Sequence, residues 1–497
     1  MLKVKKLKAT NLKFPKSLTG IQGLDEITTG GLPKNRPTLL LGNTGCGKTV
    51  MAMEFLVNGI VLFNEPGVFI AFEEKADELA MNAKSLGYDL DKLRSANKIY
   101  LEHVNLPINN SEALDTGKYD IEGLFVRLGQ AIEKVKAKRV VLDSLDTLFY
   151  GLDYQILRSE FKRLFSWLKE RKVTAIITAE IGDTFLTHHG LEEYVADCVI
   201  LLDNRLVNQI ATRRLRIVKY RGSIHGNNEY PFIIDEKGIT VFPEIREGLL
   251  QKTSAKRISS GIKQLDEMLD NKGFFVGSSI LISGSSGTGK TSIAASFAFS
   301  ICKNNERCFF CAFEEAPNQI IRNMQSIGIN LGPLVKSGRL HFYYSRPSLQ
   351  NLELHFIAIK EMIKEVKPSV VILDPITNLM TEGPNSDIRS MLTRFVDYLK
   401  IEQISVMFTA AITLGSIERN PSDEGISSMV DTWMMVQDVE AGGERTRSLY
   451  VMKSRGMNHS KEVREFIITS KGVTLKQFVK SEEGRFLKIE SNRKVKK

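Results

Sequence analysis

Gly42-Asn43-Thr44-Gly45-Cys46-Gly47-Lys48-Thr49 and, about half a chain later, Gly284-Ser285-Ser286-Gly287-Thr288-Gly289-Lys290-Thr291 both satisfy the G-x-x-x-x-G-K-[ST] pattern without a mismatch. Each follows an apolar run, Thr38 to Leu41 and Ser279 to Ile282, and each opens a helix-like stretch. Strand, loop and helix in that order form a phosphate cradle. Glycines let successive backbone N–H groups converge on the phosphates, and the helix N-terminus adds partial positive charge. Lys48 and Lys290 supply point charges for the outer phosphates, and the hydroxyls of Thr49 and Thr291 can ligate magnesium. Glycine-rich turns that bind nothing would not recur in matching contexts.

The landmarks around the loops repeat too. Ser17-Leu-Thr-Gly20-Ile21-Gln-Gly-Leu24-Asp25-Glu26 matches Ile258-Ser-Ser-Gly261-Ile262-Lys-Gln-Leu265-Asp266-Glu267. Phe72-Glu73-Glu74 matches Phe313-Glu314-Glu315, and Val140-Val-Leu-Asp143 matches Val371-Ile-Leu-Asp374. Lys219-Tyr-Arg221-Gly222 matches Lys453-Ser-Arg455-Gly456. One order in both halves means a domain duplication. Strands alternate with helical stretches, and Val140–Leu142 and Val370–Leu373 are continuous β-branched runs of the kind buried on both faces. The class expected is α/β with mostly parallel central sheets, in two domains, 1–247 and 248–497. The boundary is expected near Pro243 to Lys256, and a loose charge-rich tail beyond about 480.

Composition narrows the function classes. The 497 residues have ordinary apolar and charged fractions. There is neither a leader pattern nor an apolar run long enough to span a bilayer, so a cytoplasmic protein is expected. The five cysteines show no metal spacing, and Cys308-Phe-Phe-Cys311 reads as a buried strand. His188-His189 reads as an exposed loop. A net charge of +10, partly in terminal tails, leaves nucleic-acid binding as a minor alternative.

Asp143 and Asp374 stand at strand ends where a magnesium-organising carboxylate is needed; the alternative is a structural strand-end aspartate. Glu73-Glu74 and Glu314-Glu315 can take a proton from the group attacking a terminal phosphate, water for hydrolysis or a hydroxyl for a kinase. The alternative is an acidic strand–helix turn. Lys219, Arg221, Lys453 and Arg455 can reach a neighbouring subunit's nucleotide as basic fingers, or form plain basic turns. The halves differ at one turn. Ser427-Ser428 in the second stands opposite Glu193-Tyr194 in the first, a hydroxyl where the first copy has a carboxylate. A carboxylate partly mimics phosphoserine, which reads as one switchable and one fixed copy; ordinary drift is the alternative.

With Lys219-Tyr-Arg221-Gly-Ser223-Ile-His225, Lys453-Ser-Arg455-Gly-Met-Asn-His459 and Arg464-Glu465-Phe466 added, the chain from about residue 15 to 480 resembles the KaiC family of clock ATPases and autokinases. The resemblance implies two RecA-like P-loop NTPase domains, stacked as two rings in a homohexamer, with ATP and Mg2+ between subunits. It implies an N-terminal ATPase with Glu73 as general base, and a C-terminal autokinase in which Glu314 activates Ser427 or Ser428. The same site would return phosphate to ADP. Ser422-Asp423 matches the family's nearby Thr-Asp.

The implied nucleotide contacts in the first domain are Gly45, Cys46, Gly47, Lys48, Thr49, Val50, Ser85, Lys219, Tyr220, Arg221, Ser223 and His225. Those in the second are Ser286, Gly287, Thr288, Gly289, Lys290, Thr291, Ser292, Glu314, Arg447, Lys453, Ser454, Arg455, His459 and Lys461. Thr49, Asp143, Thr291, Glu314 and Asp374 would serve the metal. Ile327 stands where the clock protein has a tryptophan beside the base. The short tail ending at Lys497 sets the expectation that KaiA does not regulate this chain, while a KaiB-like partner fits. Competing readings are a RecA-like DNA-dependent ATPase and a nucleotide-gated hexameric scaffold with little kinase activity.

Overall fold

The computed structural model describes residues 14–104, 122–144, 146, 154–182, 195–207, 210–243, 254–346, 352–379, 385–411, 428–441, 444–480 and 486–488. The chain divides into two compact units near residue 244. The expected boundary at 247/248 itself lies outside the described residues.

The first unit is built on a nine-stranded sheet. Its strands are β1 (Pro37–Gly42), β2 (Gly67–Ala71), β3 (Ile99–His103), β4 (Arg139–Asp143), β5 (Thr174–Ala179), β6 (Cys198–Val207), β7 (Ile210–Tyr220), β8 (Glu229–Asp235) and β9 (Gly238–Val241). They lie in the order β9-β8-β7-β6-β1-β5-β4-β2-β3. From β6 to β3 the pairing is parallel; β7, β8 and β9 form an antiparallel extension.

The second unit repeats the plan. Its strands are β10 (Ser279–Gly284), β11 (Cys308–Ala312), β12 (Leu340–Tyr344), β13 (Val370–Asp374), β14 (Ser405–Ala411), β15 (Thr432–Ala441), β16 (Glu444–Ser454), β17 (Arg464–Thr469), β18 (Gly472–Lys480) and β19 (Phe486–Lys488). The order is β12-β11-β13-β14-β10-β15-β16-β17-β18-β19. With nine subtracted from each label this is the first sheet, plus one strand. That added strand corrects the expectation of a loose tail beyond about 480. Phe486–Lys488 pairs antiparallel with β18, Lys488 opposite Phe478.

The parallel strands are apolar because helices cover both faces. β1, β2, β5, β10, β11 and β13 are buried along their whole length. Helix α1 (Lys48–Phe63) follows β1, and helix α2 (Lys290–Lys303) follows β10. Both bury several faces of apolar residues, so neither is a surface helix. Each starts at a glycine in the left-handed region, Gly47 at φ 106° and Gly289 at φ 97°. A methyl on Gly47 would lie 2.6 Å from Ile234 Cδ1, so the turn takes glycine for space as well as for φ. All five cysteines are buried and free, and Cys308 to Cys311 lie inside β11. Among the described residues no helix is long and apolar enough to cross a membrane.

Candidate nucleotide site

In a parallel sheet, ligands gather at the carboxyl ends of the strands. In the first unit β1 runs straight into the loop, and a cleft of about 520 Å³ opens there, lined by Asn43, Thr44, Gly45, Gly47, Lys48, Thr49, Val50, Glu73, Glu74, Asp143, Ser144, Glu180 and Arg213 among others. Lys48 Nζ donates to the carbonyls of Gly42 at 2.6 Å and Asn43 at 3.3 Å, which keeps the ammonium at the loop. Cys46 is buried beneath it, and burial pushes its thiol up. In the second loop Lys290 Nζ donates to Gly284 O at 2.8 Å and Ser285 O at 2.7 Å, and burial lowers its pKa. Thr288 Oγ1 donates to Ser285 O at 2.8 Å, Ser292 is buried in the first turn of α2, and Ser286 and Gly287 are exposed.

Each loop threonine meets its strand-end aspartate. Thr49 Oγ1 donates to Asp143 Oδ2 at 2.7 Å, and Thr178 on the adjacent strand donates to Asp143 Oδ1. In the second unit Thr291 and Thr409 hold Asp374 in the same way. Burial raises both aspartates above the usual carboxylate range, while the threonine hydroxyls pull against it. A hydroxyl and a carboxylate side by side are hard oxygen donors of the kind magnesium takes alongside nucleotide phosphates. Among the described residues no group of three or more His, Cys, Asp or Glu could hold a metal ion.

The glutamates follow β2 and β11. Phe72 N donates to Asp143 O at 2.8 Å, and Phe313 N to Asp374 O at 2.9 Å, so the pairs start from equivalent anchors. Both pairs are exposed. Ser144 Oγ donates to Glu73 Oε1 at 2.8 Å, and Asn323 Nδ2 donates to Glu315 Oε2 at 3.1 Å.

The basic segments sit elsewhere. β6 pairs with β1 from Thr38–Cys198 to Gly42–Leu202, and Arg221 N donates to Asp197 O at 2.8 Å, just before Cys198. Lys219, Tyr220, Arg221, Ser223 and His225 therefore lie at the end of the sheet where the parallel strands begin, opposite the loop. Asp197 there pairs with Arg36 at 3.1 Å and Lys169 at 2.5 Å, and Tyr220 donates its hydroxyl to Gly31 O at 2.8 Å. In the second unit Asp431 N donates to Ser279 O and Arg455 N to Asp431 O, both at 2.8 Å. Lys453, Ser454 and Arg455 thus share that end, with exposed Lys461 and half-buried His459 in the following turn. Burial and the adjacent Arg455 lower the Lys453 pKa. Arg447 is the exception: it faces Asp438, beyond the Gly284–Val436 pairing, at the loop end.

Ser428 belongs to the basic end. Arg455 Nη2 donates to its carbonyl at 3.0 Å, and Arg389 Nη2 lies 3.4 Å from its hydroxyl. Ser427, Ser422-Asp423, Glu193-Tyr194 and His188-His189 lie outside the described residues. Ser85 ends the helix Ala76–Ser85, exposed, donating to Asn82 O at 2.7 Å, and does not line the first cleft.

Four cleft-side residues escaped the sequence reading. Thr178 and Thr409 were visible only as the matched pairs Thr178-Ala179 and Thr409-Ala410. Arg213 stands six residues before Lys219, as Arg447 stands six before Lys453, so extending the repeat alignment finds it. Glu180 has Ala411 as its counterpart and carried no motif.

Two copies of a Walker loop on one sheet plan, each with a threonine-held strand-end aspartate and a carboxylate pair, define a tandem RecA-like P-loop ATPase. Residues 17–246 and 258–479 each match the KaiC ATPase family model. The chain is 49% identical over 468 residues to a protein of Synechocystis named circadian clock protein KaiC2, covering 94% of this chain and 82% of that one. It is 37% identical over 464 residues to the circadian clock oscillator protein KaiC of Synechococcus elongatus, covering 93% and 89%. The same identity holds over 471 residues with the KaiC of Parasynechococcus marenigrum, covering 94% and 91%. The chain belongs to the KaiC family.

Proposed function

We propose that this chain is a self-phosphorylating ATPase acting as a timing or clock component, with domains 1–247 and 248–497 in distinct roles. The first domain hydrolyses ATP, with Glu73 as general base, Glu74 beside it and Lys48 on the outer phosphates. The second transfers the terminal phosphoryl group to Ser427 or Ser428 of a neighbouring chain. Glu314, supported by Glu315, takes the serine proton as the hydroxyl oxygen attacks phosphorus and the bond to ADP breaks; Lys290 steadies the leaving phosphate. Thr49 with Asp143, and Thr291 with Asp374 and Glu314, would hold Mg2+, which supplies charge neutralisation.

One observation carries the reading. Within each domain the basic finger lies across the sheet from the loop. In the second domain the separation is the length of β10, five residue steps of roughly 3.3 Å. Ser428 and Arg455 cannot reach their own chain's nucleotide over that span, but a neighbour packed head to tail presents one end to the other. That supports a homohexameric double ring with ATP at subunit interfaces. The family's clock context supports a KaiB-like partner.

Phosphosite mapping by mass spectrometry after incubation with Mg-ATP tests the assignment. Phosphate is expected on Ser427 or Ser428 of the wild type and reduced on the order of 10²-fold or more in Glu314→Gln. Serines that stay unmodified in the wild type would remove the kinase role and leave an ATPase.

A further inference from the structure

The two loop ends differ in charge: Glu180 and Asp146 stand beside the first loop, where the second half has Ala411 and Thr377. Glu180 follows β5 in the first unit and lines its cleft. Its backbone N–H donates to Asp146 Oδ2 at 2.7 Å, and its carboxylate Oε1 accepts from Thr44 Oγ1, inside the phosphate loop, at 3.0 Å. These two contacts hold a carboxylate across the mouth of the loop. In the second unit the equivalent position, two residues past Thr409, is Ala411.

The groups around it say which phosphate this carboxylate faces. Thr178 donates to Asp143, the carboxylate that also receives the Thr49 hydroxyl. Glu180 comes directly after the end of β5, two residues past Thr178, and its contacts with Thr44 and Asp146 set its carboxylate beside the loop in the cleft that Asp143 also lines. That cleft is where the terminal phosphate would meet its metal and its base. A fixed negative charge there opposes the group that ATP has and ADP lacks, while the inner phosphates remain on the loop amides.

We infer that Glu180 is a specificity-determining residue of the first cleft, lowering its preference for ATP over ADP relative to the second cleft. The inference rests on nucleotide binding by both loops, not on the autokinase reading. It gives the duplication a physical asymmetry. The first cleft holds ATP less firmly against its own product, and the second, with a methyl at this position, carries no such bias.

The test is equilibrium binding of a non-hydrolysable ATP analogue and of ADP to the full chain, with Mg2+, at fixed ionic strength. Lys290→Ala silences the second loop while the first is measured, and Lys48→Ala does the reverse. Glu180→Gln keeps an acceptor for Thr44 and removes the charge. It is expected to raise the affinity ratio of ATP analogue to ADP in the first cleft on the order of tenfold. Ala411→Glu is expected to lower the ratio in the second cleft by a similar factor, and it keeps the inference testable if Glu180→Gln folds poorly by circular dichroism. A ratio unchanged, or moved the other way, in a folded variant of either kind would overturn the inference. Failure of the parent chains to bind nucleotide would instead remove the site reading beneath it.

Discussion

Asp431 shows how one residue ties the loop strand to the basic end. Its Oδ2 accepts from Ser279 N at 2.9 Å and Ser279 Oγ at 2.8 Å, and Lys400 Nζ pairs with it at 2.9 Å. Burial alone would raise this carboxyl, but the Ser279 amide and the Lys400 ammonium outweigh it and hold the pKa below the ordinary value. A depressed folded pKa gives stability that is present above the unfolded pKa and is lost as pH falls through the folded one. Asp431→Asn should therefore cost about 2 kcal/mol at neutral pH, where it leaves Lys400 without its charge partner. The gap to wild type should close as pH drops below about 4. Urea titrations of both proteins across pH check this; a gap independent of pH would contradict it.

Among the elements, the central constraint is how closely β10 and β15 approach at the loop. A methyl on Gly284 would lie 2.1 Å from Val436 O, a backbone atom that cannot move without breaking the β10–β15 ladder. Gly284→Ala should destabilise the second domain by about 3 kcal/mol, read as a lower urea midpoint for that domain's transition. An unchanged midpoint would mean that the strands are not paired in this register. The loops, the aspartates and the glutamates were legible because each belongs to a contiguous motif repeated in order. The aspartate-holding threonines were not, because Thr178 meets Asp143, and Thr409 meets Asp374, only through adjacent parallel strands that the sequence does not order. Glu180 was hidden for the opposite reason: it breaks the repeat instead of sharing it. The strand Phe486–Lys488 was obscured by the charges around it. For the basic segments, their character could be read but not their place, since the parallel pairing of β1 with β6 decides which end of the sheet they occupy.

At the scale of the whole molecule, the two copies of the repeat are alike in plan and unlike in detail. Both domains keep the loop, the strand-end aspartate, the carboxylate pair and the Lys-x-Arg segment. They differ at Glu180 against Ala411, and at Glu193-Tyr194 against Ser427-Ser428. In the proposed ring, each nucleotide is held by the loop of one chain and met by the finger and serines of the next. The base on Glu314 and the acceptor on Ser428 then belong to different chains during transfer. The most direct measurement mixes two variants that are each silent alone, after exchange of their subunits. Glu314→Gln keeps the serines and lacks the base; a chain with Ser427→Ala and Ser428→Ala keeps the base and lacks the acceptors. Phosphate is expected on the serines of the Glu314→Gln chain only in the mixed assembly with Mg-ATP. Phosphate on Glu314→Gln alone, or none in the mixture when the wild type is phosphorylated, would contradict transfer between subunits.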